Sequence, residues 1–190
     1  MKKFLSLLLT IIMLSFTACS NQKTYTTQQV EEIVSPYMYN LSIGLSGDWD
    51  CSADENLLTK VGGNIFKAVL ESFWRIDNNT EIYDEYYRVM LVDYVGVALE
   101  YFGYNEAVLT EHFKSDKSYD EQTEMLNSSD GLGSVINMEI ASVEQEGDNF
   151  KVNYDCYGVD GYYVEDYGHL IVQITEEGKP KFLSNTTNVL

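Results

Sequence analysis

Asp93 interrupts the apolar run Met90–Leu99 (MLVDYVGVAL) and is the side chain best placed to do chemistry. A carboxylate among apolar neighbours keeps its proton to higher pH unless a cation pairs with it, and so can serve as a general base. A basic partner, or a place on the helix surface, accounts for the same residue without catalysis. The stretch Asp48-Trp-Asp50-Cys-Ser52-Ala-Asp54 sets oxygens at alternate positions, as a calcium loop does. It lacks the loop glycine, which is Ala53, and the twelfth-position glutamate, which is Thr59. A polar helix entry capped by Ser52 explains it better. Asp77-Asn-Asn-Thr-Glu81 reads likewise as an acidic loop ahead of a helix, where negative side chains favour the dipole. His112 and His169 show no ligand spacing, and a zinc set made from them with Cys51 and Cys156 has no pattern behind it. Asp130-Gly-Leu-Gly-Ser134 follows no strand that would make it a phosphate loop, and no nucleophile elbow occurs. These motifs predict neither a metal, nor a cofactor, nor an enzyme.

Fifteen tyrosines are the broader signal. Tyr162, Tyr163 and Tyr167 flank Glu165 and Asp166 in a glycine-containing connection. Phenols beside carboxylates can stack on sugars or engage a protein, which makes these three the expected binding surface.

The elements that must position these residues change type at mid-chain. Ser52-Ala-Asp-Glu55 has capping-box spacing, and Leu57, Leu58, Val61, Ile65, Val69 and Phe73 recur at helical intervals through Trp74. A second helix is expected from Asn79 or Thr80 to Phe102, apolar nearly all round in its middle and therefore the most buried, with Gly103 as its C-terminal cap, although the valines of that middle leave a strand reading open. Asn105-Glu106 starts a short helix through Phe113, and Ser118-Tyr-Asp-Glu121 matches a capping box again. From Phe150 the period becomes two: Phe150, Val152, Tyr154 and Cys156 alternate with Lys151, Asn153 and Asp155. Further strands are expected over 135–145, 169–175 and 182–185. Helices followed by an antiparallel meander predict an α+β domain, with N-terminal helices packed on a curved sheet.

The first twenty residues place the protein. Lys2 and Lys3 precede an apolar run, Phe4–Leu14, and then the small residues Ser15, Thr17 and Ala18. The run is too short to span a bilayer and has the layout of a secretory signal. Phe16-Thr-Ala-Cys19 resembles the lipobox of bacterial lipoproteins, with Phe16 where leucine is preferred. The resemblance implies cleavage after Ala18 and diacylglycerol on Cys19, an anchor of more than one chain that holds a protein stably at a membrane. The expected layout is a signal peptide over 1–18, a tether over 19–29 (Ser20–Gln29 is polar) and a single domain over 30–190.

Lipidation of Cys19 leaves Cys51 and Cys156 as an even pair in a compartment where disulfides persist. A bridge would close a loop of about a hundred residues, worth on the order of 4–5 kcal/mol. Two buried thiols are the alternative, since Cys156 falls on the inward side of its strand. The chain carries a formal charge of −18, which becomes −20 once Lys2 and Lys3 leave with the signal. Such a charge repels nucleic acid and anionic lipid, and suits basic proteins, neutral glycans or plain solubility.

The runs IASVEQEGDNFKVNYDCYGVDG and GHLIVQITEEGKPKFLSNTTN are similar to the curved sheet of nuclear-transport-factor-two-like domains. In that family an acidic residue in an apolar cone can act as a base, which would be Asp93. Tyr87-Arg88, then VLTEHF, then an acidic strand-rich region resembles secreted bacterial D,L-endopeptidase inhibitors. The expected function is therefore a lipid-anchored extracytoplasmic binding protein without catalysis. Its partner would be a basic envelope protein or a glycan, and inhibition of a cell-wall hydrolase is the narrower alternative.

Overall fold

The computed structural model describes residues 24–42, 47–51, 63–78, 88–127, 136–158 and 163–189. Within them four helices, α1 (Thr27–Ser42), α2 (Gly63–Asn78), α3 (Leu91–Phe102) and α4 (Glu106–Lys114), come before the long strands. The large sheet joins β1 (Trp49–Asp50) to β5 (Ile136–Glu146), β6 (Asn149–Gly158), β7 (Tyr163–Ile174) and β8 (Pro180–Val189), in the order β1-β8-β7-β6-β5. All its pairs are antiparallel. A second, small sheet orders β2 (Arg88–Met90), β4 (Met125–Asn127) and β3 (Tyr119–Asp120) as β2-β4-β3. The protein is thus an α+β fold, as the change of period predicts.

Period two puts Phe150, Val152, Tyr154 and Cys156 of β6 on the buried side, with Leu170 and Val172 of β7 and Phe182 of β8 beside them. The helices cover that side. Val30, Val34, Tyr37, Met38 and Leu41 form the apolar stripe of α1, and Phe66, Val69, Leu70 and Phe73 that of α2. An aromatic cluster locks the layers together: the ring of Phe73 lies 4.8 Å from Tyr37, 5.0 Å from Tyr101, 5.6 Å from Phe102 and 5.7 Å from Phe182, centroid to centroid.

The N-terminal boundary differs from the expected one. Thr26 and Gln29 form a capping box, in which Gln29 Oε1 accepts from the Thr26 N–H at 2.9 Å and Thr26 Oγ1 accepts from the Gln29 N–H at 3.3 Å. Residues assigned to the tether therefore open α1. The expected helix from residue 79 or 80 is likewise corrected, because β2 precedes it and α3 starts at Leu91. Residues 79–87 lie outside the described ones, as do Ser52–Glu55. Gly103 does cap α3, in the left-handed region (φ 62°), and Asn105 caps α4 by accepting from the N–H groups of Ala107 and Val108. Helix α3 buries Leu91, Tyr94, Val95, Val97, Ala98, Tyr101 and Phe102, over half of its twelve residues, while Val92 is 66% exposed. The second capping-box match is overturned. Asp116 and Asp120 bond the N–H groups two residues on, and they turn the chain into β3 and the following turn instead of a helix.

Gly168 decides how β7 faces. A Cβ there would lie 2.5 Å from the Thr186 carbonyl oxygen and 2.5 Å from the Tyr154 hydroxyl. Tyr154 sits opposite Gly168, and its hydroxyl donates to Asn185 Oδ1 at 2.8 Å. Backbone cannot yield as a side-chain tip can. Gly168→Ala is expected to cost about 1–3 kcal/mol, seen as a lower urea midpoint at unchanged slope.

Candidate functional site

Strand alternation that turns Tyr154 and Leu170 inward turns the next residues outward. Lys151, Asn153, Asp155 and Tyr157 of β6 lie on the side of the sheet opposite the helices, next to Tyr167, His169 and Ile171 of β7. Tyr167 stands opposite Asp155 and is 40% exposed. His169 stands opposite Asn153 on one side and the exposed Thr186 on the other. Asn153 Nδ2 donates to Ser142 Oγ and Glu144 Oε1, both at 2.9 Å, which fixes the amide plane. Partial burial first, then the Lys151 ammonium, holds His169 below the usual imidazole range, with Glu146 and Asp48 pulling the other way. His169 is therefore neutral near pH 7 and can donate or accept. The face thus combines an aromatic ring, a carboxylate, an oriented amide and a neutral imidazole, groups that bind a partner without needing to react with it.

Of the three expected surface tyrosines, the structure places Tyr167 on this face. Tyr162 lies outside the described residues, and β7 opens at Tyr163, whose backbone stands opposite Tyr157. Asn153, Asp155 and His169 are the members that sequence reasoning missed. Their signal was the period-two pattern, which shows that they point away from the core but not which strands lie side by side.

Asp93 falls on the first turn of α3, half-buried, where a negative charge suits the helix N-terminus. No described residue hydrogen-bonds or ion-pairs with it. The shallow groove between α3 and α4 is lined by Met90, Val92, Val95, Glu106, Thr110 and Lys114, and Asp93 is not on its wall. Asp48 is used structurally: its Oδ1 accepts from the N–H and hydroxyl of Thr187 at 2.6 and 2.7 Å. Cys51 and Cys156 are both buried and not joined by a disulfide, so the open choice between bridge and thiols goes to thiols. Cys51 directly follows β1, which lies three places from the β6 strand of Cys156 in the sheet. At about 4.8 Å per strand that is about twice the Cα separation a disulfide spans. Burial pushes the Cys51 thiol up to about 12, and Asp50 adds to the effect. The zinc set does not assemble either, since both thiols face inward while His169 lies on the outer side. Cys19 is outside the described residues. Among those described, no helix is long and apolar enough to cross a membrane.

Two polar clusters lie on the helical side. Tyr37 and Tyr101 share a hydroxyl–hydroxyl bond of 2.9 Å, and Tyr101 donates onward to Asp77 Oδ1 at 2.6 Å. Lys179, in the β7–β8 turn, reaches Asp77 at 3.1 Å and Glu100 at 2.7 Å. Asp77 thus ends a helix where the sequence suggested a loop, and the cluster ties the turn to α2 and α3. Deeper in, Glu71 takes the Arg75 guanidinium and the Tyr94 hydroxyl, and buried Lys67 donates to Ser118 Oγ at 2.8 Å. Burial chiefly raises the pKa values of Tyr37, Tyr94 and Tyr101, helped by Asp77 at the first and third and by Glu71 at the second. In the unfolded chain these phenols ionise near pH 10, whereas folded they hold their protons to higher pH, so the stability they confer drains away above pH 10. An absorbance titration of tyrosinate should show two of the fifteen, Tyr94 and Tyr101, titrating only together with alkaline unfolding. Their release in the folded state would contradict this.

Comparisons of the chain with protein-family models, with curated proteins and with solved structures returned no significant match.

Proposed function

We propose that this chain is an exported lipoprotein, held at the extracytoplasmic face of the cell membrane by diacylglycerol on Cys19. Its α+β domain binds a partner through the outer face of the sheet and catalyses no reaction. The lipobox resemblance at Phe16–Cys19 and the apolar run before it support the anchor. The binding reading is carried by Tyr167, an exposed aromatic held in a strand beside Asp155. A ring on rigid backbone engages a partner at little entropic cost, which favours recognition.

Charge selects the partner class. A chain of formal charge −18 attracts a basic protein of the envelope and accelerates encounter with it. Inhibition of a basic cell-wall hydrolase is the narrower form of this reading. The test is binding of the full chain to a cationic muramidase and, separately, to purified glycan strands. We expect muramidase binding that weakens with salt and falls on the order of tenfold in Tyr167→Ala. Binding to glycan alone would change the partner class, and binding to neither would overturn the reading.

A further inference from the structure

The chain enters the domain at one end of the sheet. In an antiparallel meander the β5–β6 turn (Gly147-Asp148) and the β7–β8 turn (Thr175–Lys179) fall at the same end, and the β6–β7 connection falls at the other. Tyr25 is packed against the core at the first of these ends. Its hydroxyl lies 3.5 Å from the Thr175 carbonyl oxygen, and a Cβ on Gly178 would come within 3.5 Å of it. Thr24 and Tyr25 line one depression with Gly147, Asp148, Thr175 and Glu176. The start of the described chain is therefore pinned beside both turns.

Five residue steps separate Cys19 from Thr24, a reach of at most about 18 Å even fully extended. Asp155 lies six residues along β6 from Asn149, about 20 Å at 3.3 Å per residue, and Tyr157 lies farther still. The turn end also exposes Glu146, Asp148, Glu176 and Glu177. These carboxylates are repelled by anionic headgroups and keep the domain from settling into the lipid surface.

We propose that the anchored domain stands with its β5–β6 and β7–β8 turns toward the bilayer and presents Asp155, Tyr157 and Tyr167 of the outer face away from it. This rests on the reading of Cys19 as the lipid anchor. The short tether confines the turns, and the length of the strands carries the aromatic part of the face outward. The partner is thus met beyond the headgroup layer, which suits a protein of the envelope and not a membrane lipid.

Fluorophores on Asp148→Cys and Glu139→Cys, both exposed acidic positions, test this in the full-length protein extracted with its lipid and returned to vesicles carrying a headgroup acceptor. Selective labelling is favoured because Cys51 and Cys156 are buried and the Cys51 thiol ionises only near 12. Energy transfer should be severalfold stronger from position 148 than from position 139. Equal or reversed transfer in protein whose intact mass shows acylation would overturn the orientation alone. An intact mass without acylation would overturn the anchor and the orientation with it.

Discussion

Phe73→Ala lowers the stability of the domain by about 3–5 kcal/mol, the cost of emptying a fully buried aromatic site. Four rings contact Phe73, from α1, α3 and β8, so the cavity opens where three elements meet and none can collapse into it alone. A domain of this size has about 5–15 kcal/mol in hand, so the variant should unfold at a much lower urea concentration. Phe73→Leu, which keeps most of the apolar volume, should lose far less. A midpoint unchanged by Phe73→Ala would show that the cluster does not join the helices to the sheet.

Cys19→Ala is expected to move the protein from the membrane fraction to the soluble one. Replacing the cysteine removes the acceptor for diacylglycerol and with it the buried methylenes, each worth about 0.8 kcal/mol. The acidic domain supplies no compensating attraction to anionic lipid. The domain itself should be unaffected: the variant, once exported, should melt as the wild type does, because residue 19 lies ahead of the packed Tyr25. Retention of the variant in membranes would mean that something other than Cys19 holds it there.

The parts of the fold that are legible in the sequence are those specified by neighbours in the chain. Asn105 and Gly103 cap helices through bonds to groups within a few residues, and the alternation from Phe150 to Cys156 needs only the two-residue pleat. Helix α1 was hidden by its polar opening, although Val30, Val34, Met38 and Leu41 recur at helical spacing and Thr26-Thr-Gln-Gln29 is a capping box. Ser118–Glu121 matches a capping box yet forms no helix, because side chains that cap a helix also close a turn. The candidate site is legible only in part. Pattern shows that Tyr167 and Asn153 point away from the core, but register brings Tyr167 to Asp155 and His169 to Asn153, and a bulge in the β6–β7 pairing sets that register. Cys51 and Cys156 show the same limit, since strand order alone keeps them apart.

The anchor decides where the outer face of the sheet can meet a partner, and the protein's own N-terminal peptide tests it most directly. Trypsin cuts after Lys3 and Lys23. Mass spectrometry of protein extracted from membranes should find Cys19–Lys23 as a new N-terminal peptide carrying a diacylglyceryl thioether. An unmodified peptide running from Phe4 through Lys23 would contradict the account.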